Sequence, residues 1–378
     1  MPEQPATIGP SGADIQDGDE PLVRLVASAL FRVAELADRG QRLSVPYPAP
    51  LQRALDRLAC TFLIRGHVPP QSVADLFQLC RRPLVDWPLT LPEGAVGDDD
   101  TLLLGDQITN LCDEWAEKDV LDVEGELFEQ SLIQAVRKLC RNLDRQDSYV
   151  AFRRMLIESP VISEFDLKTA CFDPHLSPLR EHLNTCYQRV PLSHGDDGQY
   201  RCCINCNGLL LRSNGDLFVC ENEACRVSGE FVTGNRIAAD DGVLWLRREL
   251  RRFITKPGLA ELRLFKRLAE IPKLDVELWP GFDSYDTLVR FADGEVWAID
   301  VKDQRNPFLL ASQARIPADN PHWDKAFFVF PDARRRERSD YLRAFRHYSE
   351  VVSGMVDACF ESDIVKRIEK QARSRANA

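Results

Sequence analysis

The chain has 378 residues, of which 44% are hydrophobic and 28% are charged, and this composition is ordinary for a globular protein of two or three domains. Its longest apolar runs are far shorter than the roughly 20 residues of a membrane-spanning helix, so we predict a soluble protein with no membrane partner. The net charge of −11 is uneven: residues 241–378 carry 25 Lys and Arg against 22 Asp and Glu, whereas residues 1–240 carry 23 against 37. The C-terminal part is therefore the half more compatible with a polyanion.

The first 20 residues are rich in proline, glycine and acidic residues, with no basic stretch followed by an apolar one. They predict a disordered tail rather than a secretory signal, and a cytoplasmic location. From residue 21 to about residue 195, apolar residues recur every three or four positions, as in PLVRLVASALFRVAELADRG (21–40), and proline and glycine clusters separate the segments. This pattern predicts an all-helical N-terminal region over 21–195.

The next stretch, residues 196–240, is turn-rich and carries five of the twelve cysteines. Cys203 and Cys206 form one close pair, and Cys220 and Cys225 form a second pair after thirteen intervening residues. Two such pairs joined by a short hairpin are what tetrahedral Zn²⁺ requires, so we predict a structural zinc ribbon. Spacing alone does not decide between Cys202 and Cys203 as the first ligand. The seven other cysteines are interpreted as reduced core residues.

From residue 241 onward helices and strands alternate, which predicts an α/β domain and makes the whole chain a multidomain α+β protein. The expected order is helix 257–271, strands 275–279, 285–291 and 295–302, helix 307–314, strand 326–330, helix 338–351 and a terminal helix.

The strand that ends in VWAIDVKDQ (296–304) combines an apolar run with three charges. Because strand residues alternate sides, Asp300 and Lys302 lie on the same face. Burying either charge alone is costly, and a surface ion pair does not need the apolar residues that precede it. A divalent cation held by Asp300, with Lys302 beside it to orient or deprotonate a water molecule, accounts for both charges.

Mg²⁺ prefers more than one carboxylate, and the preceding strand offers Asp286. The length of the hairpin loop decides whether the two carboxylates meet. A two-residue loop at Asp293 and Gly294 puts Asp286 on the wrong face, whereas a three-residue loop that also includes Ala292 sets it opposite Asp300. We predict the three-residue loop.

Three further residues are candidates for the same site. Glu261 lies on the flank of the preceding helix and is interpreted as an additional carboxylate, with a bystander as the alternative. Asp283 competes with Asp286 for the same role. Gln313, on the next helix, is either a site residue or an ordinary surface glutamine.

Asp286, Asp300, Val301 and Lys302, with Glu261 on the helix before, resemble the motif of the PD-(D/E)xK restriction-endonuclease-like superfamily. The resemblance covers roughly residues 245–350 and implies a mixed sheet flanked by helices and Mg²⁺-dependent phosphodiester hydrolysis. It implies that Asp286, Asp300 and the backbone carbonyl of Val301 hold Mg²⁺, that Lys302 serves the attacking water, and that Glu261 is auxiliary. The sequence departs from the pattern in having SYD where the superfamily's name has PD.

A helical region, a zinc ribbon and this nuclease-like domain, in that order, also resemble the restriction-endonuclease-like component of bacterial PIWI-RE defence islands. This narrower resemblance implies antiviral or antiplasmid defence, with DNA as substrate and a PIWI or Argonaute-like protein and a helicase as partners. The predicted domains are a disordered tail (1–20), a helical domain (21–195), a zinc ribbon (196–240) and a PD-(D/E)xK nuclease-like domain (241–378).

Together these features predict a Mg²⁺-dependent DNA endonuclease with a structural Zn²⁺. The competing interpretation is a non-catalytic adaptor, in which a degenerate nuclease fold and the ribbon bind nucleic acid without cleaving it. Plasmid cleavage that depends on Asp300 and Lys302 distinguishes the two.

Overall fold

The computed structural model describes residues 18–38, 41–116, 123–212, 218–222, 225, 233–240 and 242–376. Most of the tail predicted at 1–20 lies outside them. The chain divides into two units, residues 1–120 and 121–378, each with its own internal packing. Across the described ranges, no helix is long and apolar enough to cross a membrane.

The first unit consists of helices and one small hairpin. Its elements are α1 (Glu20–Asp38), α2 (Ala49–Ile64), α3 (Val73–Cys80), β1 (Leu103–Leu104), β2 (Gln107–Ile108) and α4 (Asn110–Ala116). The helical spacing of apolar residues in α1 buries one face, on which Val23, Val26 and Leu30 are almost completely inaccessible. This face packs against α2 and α4.

The second unit begins with two long helices, three short strands and a ribbon. The elements in chain order are α5 (Val123–Asn142), α6 (Gln146–Glu158), β3 (Val161–Ser163), α7 (Glu164–Ala170), α8 (Arg180–Cys186), β4 (Tyr187–Arg189), β5 (Gln199–Cys203), β6 (Leu210–Arg212), β7 (Phe218–Cys220), β8 (Thr233–Ala238) and β9 (Val243–Leu246). Strand β9 lies between β3 and β4 and is antiparallel to both. The three strands form a small antiparallel sheet in which β9, the last of them in the chain, is the central strand.

The N-terminal region is mainly helical, but the prediction of an all-helical region over 21–195 is wrong at the β1–β2 hairpin and at β3 and β4. Strands β3 and β4 have only three residues each, and both pair with β9, which lies more than 50 residues further along the chain than β4. Such strands are stabilised by a distant partner rather than by local propensity, so the helical periodicity around them conceals them. The tight helix–strand packing also buries Leu183, Cys186 and Leu246 in one core.

The ribbon is inserted between β4 and β9. Strand β5 pairs with β8, and β6 pairs with β7, all antiparallel. The backbone N–H of Val190 donates to the carbonyl of Val243 at 3.0 Å, so the chain leaves the small sheet and returns to it at neighbouring positions. Residues 213–215 of the hairpin between the two cysteine pairs have the sequence Ser-Asn-Gly, which predicts a turn, and they lie outside the described residues.

The rest of the second unit forms a five-stranded mixed sheet flanked by helices, as predicted for the C-terminal domain. Its elements are α9 (Lys256–Ala269), β10 (Asp275–Leu278), β11 (Thr287–Arg290), β12 (Val296–Val301), α10 (Pro307–Gln313), β13 (Lys325–Phe330), α11 (Asp332–Glu337), α12 (Tyr341–Tyr348), β14 (Val356–Phe360) and α13 (Glu361–Ala376). The strand order is β10-β11-β12-β13-β14. The first three strands are antiparallel, and β12, β13 and β14 are parallel.

Alternation along β12 places a separate core on each face of this sheet. Ala298 belongs to the core beneath α10 and α12, whereas Trp297, Ile299 and Val301 belong to the core beneath α9 and α13. Asp300 is two residues after Ala298 and therefore lies on the same face of the sheet, the face that α10 covers.

Three elements differ from the sequence prediction, one of which is α11, a short helix that was not predicted. Strand β14 was not predicted, because its five residues pair in parallel with β13 and show no signal of their own between two helical segments. The helix predicted at 338–351 is shorter, since Arg338 adopts an extended conformation that separates α11 from α12.

Candidate active site

The hairpin between β11 and β12 has the predicted three-residue loop. Thr287 pairs with Ile299 and Leu288 with Ala298, so the register sets Asp286 opposite Asp300. At the other end, the Phe291 N–H donates to the Glu295 carbonyl at 2.9 Å, leaving residues 292–294 as the loop. Gly294 has a φ of +92°, a conformation that glycine adopts most easily. The prediction about the loop is thus confirmed.

Asp300 and Lys302 form a close ion pair at the end of β12. The Lys302 Nζ lies 2.8 Å from Asp300 Oδ1, and the Asp300 side chain is only 14% exposed. Burial would lower the pKa of Lys302, but the carboxylates of Asp300, Asp286 and Glu261 outweigh it and raise that pKa well above its usual range. Lys302 is therefore a cation at neutral pH.

Asp286 is a buried carboxylate at the start of β11. Its Oδ2 accepts a hydrogen bond from the Val301 N–H at 2.6 Å, which ties the two arms of the hairpin together. Burial and the negative charges of Glu261 and Asp300 raise the pKa of Asp286 well above its usual range, against the opposing effect of Lys302 and Arg153. A group held in this way binds either a proton or a cation.

Glu261 lies on α9 and is 3% exposed. Arg153 donates to both of its oxygens, at 3.0 and 2.8 Å, and the indole N–H of Trp279 donates to Oε2 at 2.6 Å. Burial raises the pKa of Glu261, and Asp283 adds to this effect, whereas Arg153 opposes it. Glu261 is thus near the acidic pair, but its oxygens are engaged by hydrogen-bond donors.

The four cysteines predicted as ligands converge in the ribbon. The sulfurs of Cys203, Cys206, Cys220 and Cys225 all lie within 4.8 Å of one another, and Cys206 Sγ is 3.5 Å from Cys220 Sγ. Tetrahedral Zn²⁺ with Zn–S bonds of about 2.3 Å needs sulfurs about 3.8 Å apart, so this donor set fits zinc. Hydrogen bonds from the other three thiols hold the pKa of Cys203 well below its usual range. Cys202 is buried but does not belong to the group.

Among the residues that the structure describes, the cysteines are the one group of three or more ligating side chains that meet this closely. Glu261, Asp286 and Asp300 do not form a second group of three on the same criterion. Of the acidic residues, Asp286 and Asp300 are the pair that the hairpin register sets opposite each other, whereas Glu261 comes from α9.

Two family models match the chain, one on each side of the ribbon. Residues 22–163 match a model described as pPIWI_RE three-gene island domain Y, and residues 258–376 match one described as REase associating with pPIWI_RE. The chain therefore carries two domains of PIWI-RE islands, domain Y and an REase-like domain. No curated protein and no solved structure matches it significantly.

The ribbon of this PIWI-RE component contacts the REase part directly. Leu259, two residues before Glu261 on α9, packs against the cysteine cluster. Glu221, next to Cys220, pairs with Arg251 at 2.8 Å. Although burial opposes it, Arg251 and Lys256 hold the pKa of Glu221 below its usual range. The cysteine group and the helix that carries Glu261 are thus joined by apolar and ionic contacts.

A strained turn of the PIWI-RE component leads into the acidic strand. Trp279, Gly281, Phe282 and Asp283 have φ values of +46°, +60°, +60° and +76°. Left-handed backbone costs a residue other than glycine about 1–2 kcal/mol, so the three such residues here store roughly 3–6 kcal/mol. Strain of this size persists only where the surroundings hold it in place, and it is typical of functional sites.

Helices α5 and α6 hold this turn. Asp283 pairs with Arg137 and Arg153 and accepts a hydrogen bond from the Tyr149 hydroxyl at 2.9 Å. Burial would raise the pKa of Asp283, but Arg153 and Arg137 lower it below its usual range. Asp283, the predicted competitor of Asp286, is therefore engaged in ion pairs with α5 and α6 and does not take part in the hairpin pairing.

Arg153 and Gln146 were missed by the sequence analysis. Both lie in a helix whose polar residues look like an ordinary solvated face, and nothing local indicates that this face covers a turn more than 120 residues away. Gln313 accepts a hydrogen bond from Gln304 at 3.4 Å, which places it beside the chain that follows Lys302. Trp279 and Trp297 are buried, as core residues would be.

Proposed function

We propose that the chain is a Mg²⁺-dependent endonuclease that hydrolyses DNA phosphodiester bonds. The observation that carries the proposal is the register of the hairpin, which sets Asp286 opposite Asp300 with the Lys302 ammonium 2.8 Å from Asp300. Two carboxylates beside a cation are what a phosphate-processing metal site requires. The match to the REase model over residues 258–376 supports a nuclease-like role.

Asp286, Asp300 and the Val301 carbonyl would hold the Mg²⁺. When bound, this ion supplies a Lewis acid and a site at which water becomes more acidic. The buried carboxylates must lose their protons for this, and the raised pKa of Asp286 therefore makes metal binding stronger as the pH rises.

Hydrolysis joins a water oxygen to phosphorus and breaks the bond from phosphorus to one sugar oxygen. The water gives its proton to solvent, and the leaving oxygen takes up a proton, so one strand end carries a phosphate monoester and the other a hydroxyl. Because Lys302 is protonated, its role is to orient the water and to stabilise the charge on the phosphate rather than to accept the water's proton.

The proposed setting is prokaryotic defence against viruses or plasmids, in a complex with a PIWI or Argonaute-like protein and a helicase. Support for it comes from the two family models, since both describe domains of the same islands. A cytoplasmic location follows from that setting. We also propose that the helical domain ends at residue 195 and that the ribbon ends at residue 240.

The test is cleavage of supercoiled plasmid with Mg²⁺ or Mn²⁺. We expect wild-type protein to nick or linearise DNA, and Asp300→Asn or Lys302→Met to slow cleavage by about 100-fold or more, since even outer-shell changes at metal sites cost 10–100-fold. Asp293→Asn, at the exposed far end of the same hairpin, is the matched control and should cleave normally. If the wild type and Asp300→Asn cleaved plasmid at equal rates, the proposal would be wrong.

The second candidate is a non-catalytic adaptor that binds nucleic acid through a nuclease-like fold. The observation in its favour is that both oxygens of Glu261 are engaged by Arg153 and Trp279. It predicts that the wild type and Asp300→Asn shift a labelled duplex equally in a gel and that neither cleaves it with either metal.

A further inference from the structure

Helix α6 reaches the nuclease-like part with two polar side chains. The Gln146 side chain spans the strained turn: its Nε2 donates to the Trp279 carbonyl at 2.6 Å, and its Oε1 accepts from the Phe282 N–H at 2.9 Å. One glutamine thus satisfies a donor and an acceptor of the left-handed backbone at its two ends. This is the geometry of a clamp on residues 279–282.

About two turns further along α6, Arg153 joins two segments that otherwise carry like charges. One nitrogen of its guanidinium pairs with Glu261 at 2.8 Å, and the other pairs with Asp283. The guanidinium also lies 4.6 Å from the centre of the Trp279 ring. Its side chain is 12% exposed, so these contacts are made away from solvent.

The charges around the hairpin make Arg153 hard to replace. Four carboxylates (Glu261, Asp283, Asp286, Asp300) share the region with the cations Arg153, Arg137 and Lys302, and Arg153 contacts two of the four. Removing one partner of a buried ion pair leaves the other charge uncompensated, which is more disruptive than losing the attraction alone. Glu261 and Asp283 would then repel each other across the turn that leads to Asp286.

We infer that Arg153 and Gln146 are positioning residues of the nuclease site, which hold Glu261 and the turn at 279–283 so that Asp286 enters the hairpin opposite Asp300. The inference rests on the proposed function and extends it. Both residues lie in the stretch that matches island domain Y, outside the stretch that matches the REase. The metal site of the REase part is therefore completed by the helices that precede the ribbon.

The experiment compares Arg153→Met and Gln146→Glu with Arg154→Met in the full-length protein. Arg154 is the neighbour of Arg153 on α6, is 43% exposed and pairs only within its own helix among the contacts described, so it controls for loss of a helix arginine. Cleavage is measured against Mg²⁺ concentration, and Mn²⁺ binding is measured separately by electron paramagnetic resonance. Melting temperature and zinc content report folding.

For Arg153→Met and Gln146→Glu we expect the half-saturating Mg²⁺ concentration and the Mn²⁺ dissociation constant to rise by about 10-fold or more, and for Arg154→Met to change less than about 2-fold. Gln146→Glu keeps the size of the side chain, so it serves if Arg153→Met does not fold. Folded Gln146→Glu with wild-type metal dependence would overturn the inference. If the wild type binds Mn²⁺ but never cleaves DNA, the proposed nuclease activity is wrong. The Mn²⁺ titration of the variants then still tests whether Arg153 and Gln146 position the metal site.

Discussion

Gly281→Ala tests the strained turn directly. Gly281 has a φ of +60°, which costs a residue with a Cβ about 1–2 kcal/mol. An added Cβ would lie 2.8 Å from the Ser284 Oγ, 2.9 Å from the Asn320 carbonyl oxygen and 2.9 Å from the Pro321 Cδ. Overpacking of this kind costs typically 1–3 kcal/mol, so we expect a total loss of about 2–5 kcal/mol.

Gly294→Ala is the matched control. Its φ of +92° also disfavours a side chain, but nothing lies within 4 Å of the added Cβ. The control therefore carries the backbone cost alone, about 1–2 kcal/mol. For a unit of this size 1 kcal/mol shifts the melting temperature by about 2–4 °C, so we expect Gly281→Ala to melt about 4–20 °C lower than wild type and Gly294→Ala about 2–8 °C lower.

The assay is differential scanning calorimetry at one pH, followed by plasmid cleavage below the lower transition. Because the turn leads into Asp286, Gly281→Ala should also lose cleavage at temperatures where it is folded, whereas Gly294→Ala should retain it. Equal melting temperatures for the two variants would refute the account of the turn as a tightly packed, held conformation.

Two further predictions follow from the buried groups. Asp286 holds its proton more tightly in the folded, metal-free protein than in the unfolded chain, so the associated stability is present below the unfolded pKa of about 3.9 and is lost as the pH rises through the raised folded pKa. Asp286→Asn should therefore abolish cleavage yet raise the melting temperature in EDTA near pH 8, with little change near pH 4. An equal change in melting temperature at the two pH values would contradict the expected pH dependence. Cys220→Ser should remove one zinc per chain. It should also increase amide hydrogen exchange in residues 199–212 and at the start of α9 around Leu259, while β12 and β13 keep wild-type protection. Unchanged exchange near Leu259 would show that the ribbon does not support α9.

The hairpin could be predicted because its determinants are local. Alternation along β12 fixes the face of Asp300, and Gly294 fixes the loop length, so two short-range rules give the register that brings Asp286 across. The cysteine group follows in the same way from spacing within one hairpin. Each of these features is determined by residues fewer than 25 positions apart.

The supports of the site could not be predicted, because they depend on tertiary contacts. Arg153 follows an arginine-rich helical pattern that is common on surfaces, and only the packing of α6 on α9 directs it to Glu261. The turn at 279–283 uses left-handed conformations at Trp279 and Phe282, which composition does not indicate, since such conformations are expected mainly at glycine and asparagine. Strands β3, β4 and β14 likewise depend on partners distant in the chain.

The position of the ribbon has a consequence for how such proteins diversify. Its two ends emerge side by side from adjacent strands, with Val190 hydrogen-bonded to Val243, so a tight turn in place of residues 191–242 would close the small sheet without rethreading it. The ribbon could therefore be shortened or replaced without changing the strand order of the small sheet. Such a loss would expose the apolar side chain of Leu259, which the cysteine cluster now covers, and those of Val243 and Trp245, which now pack with residues of the ribbon.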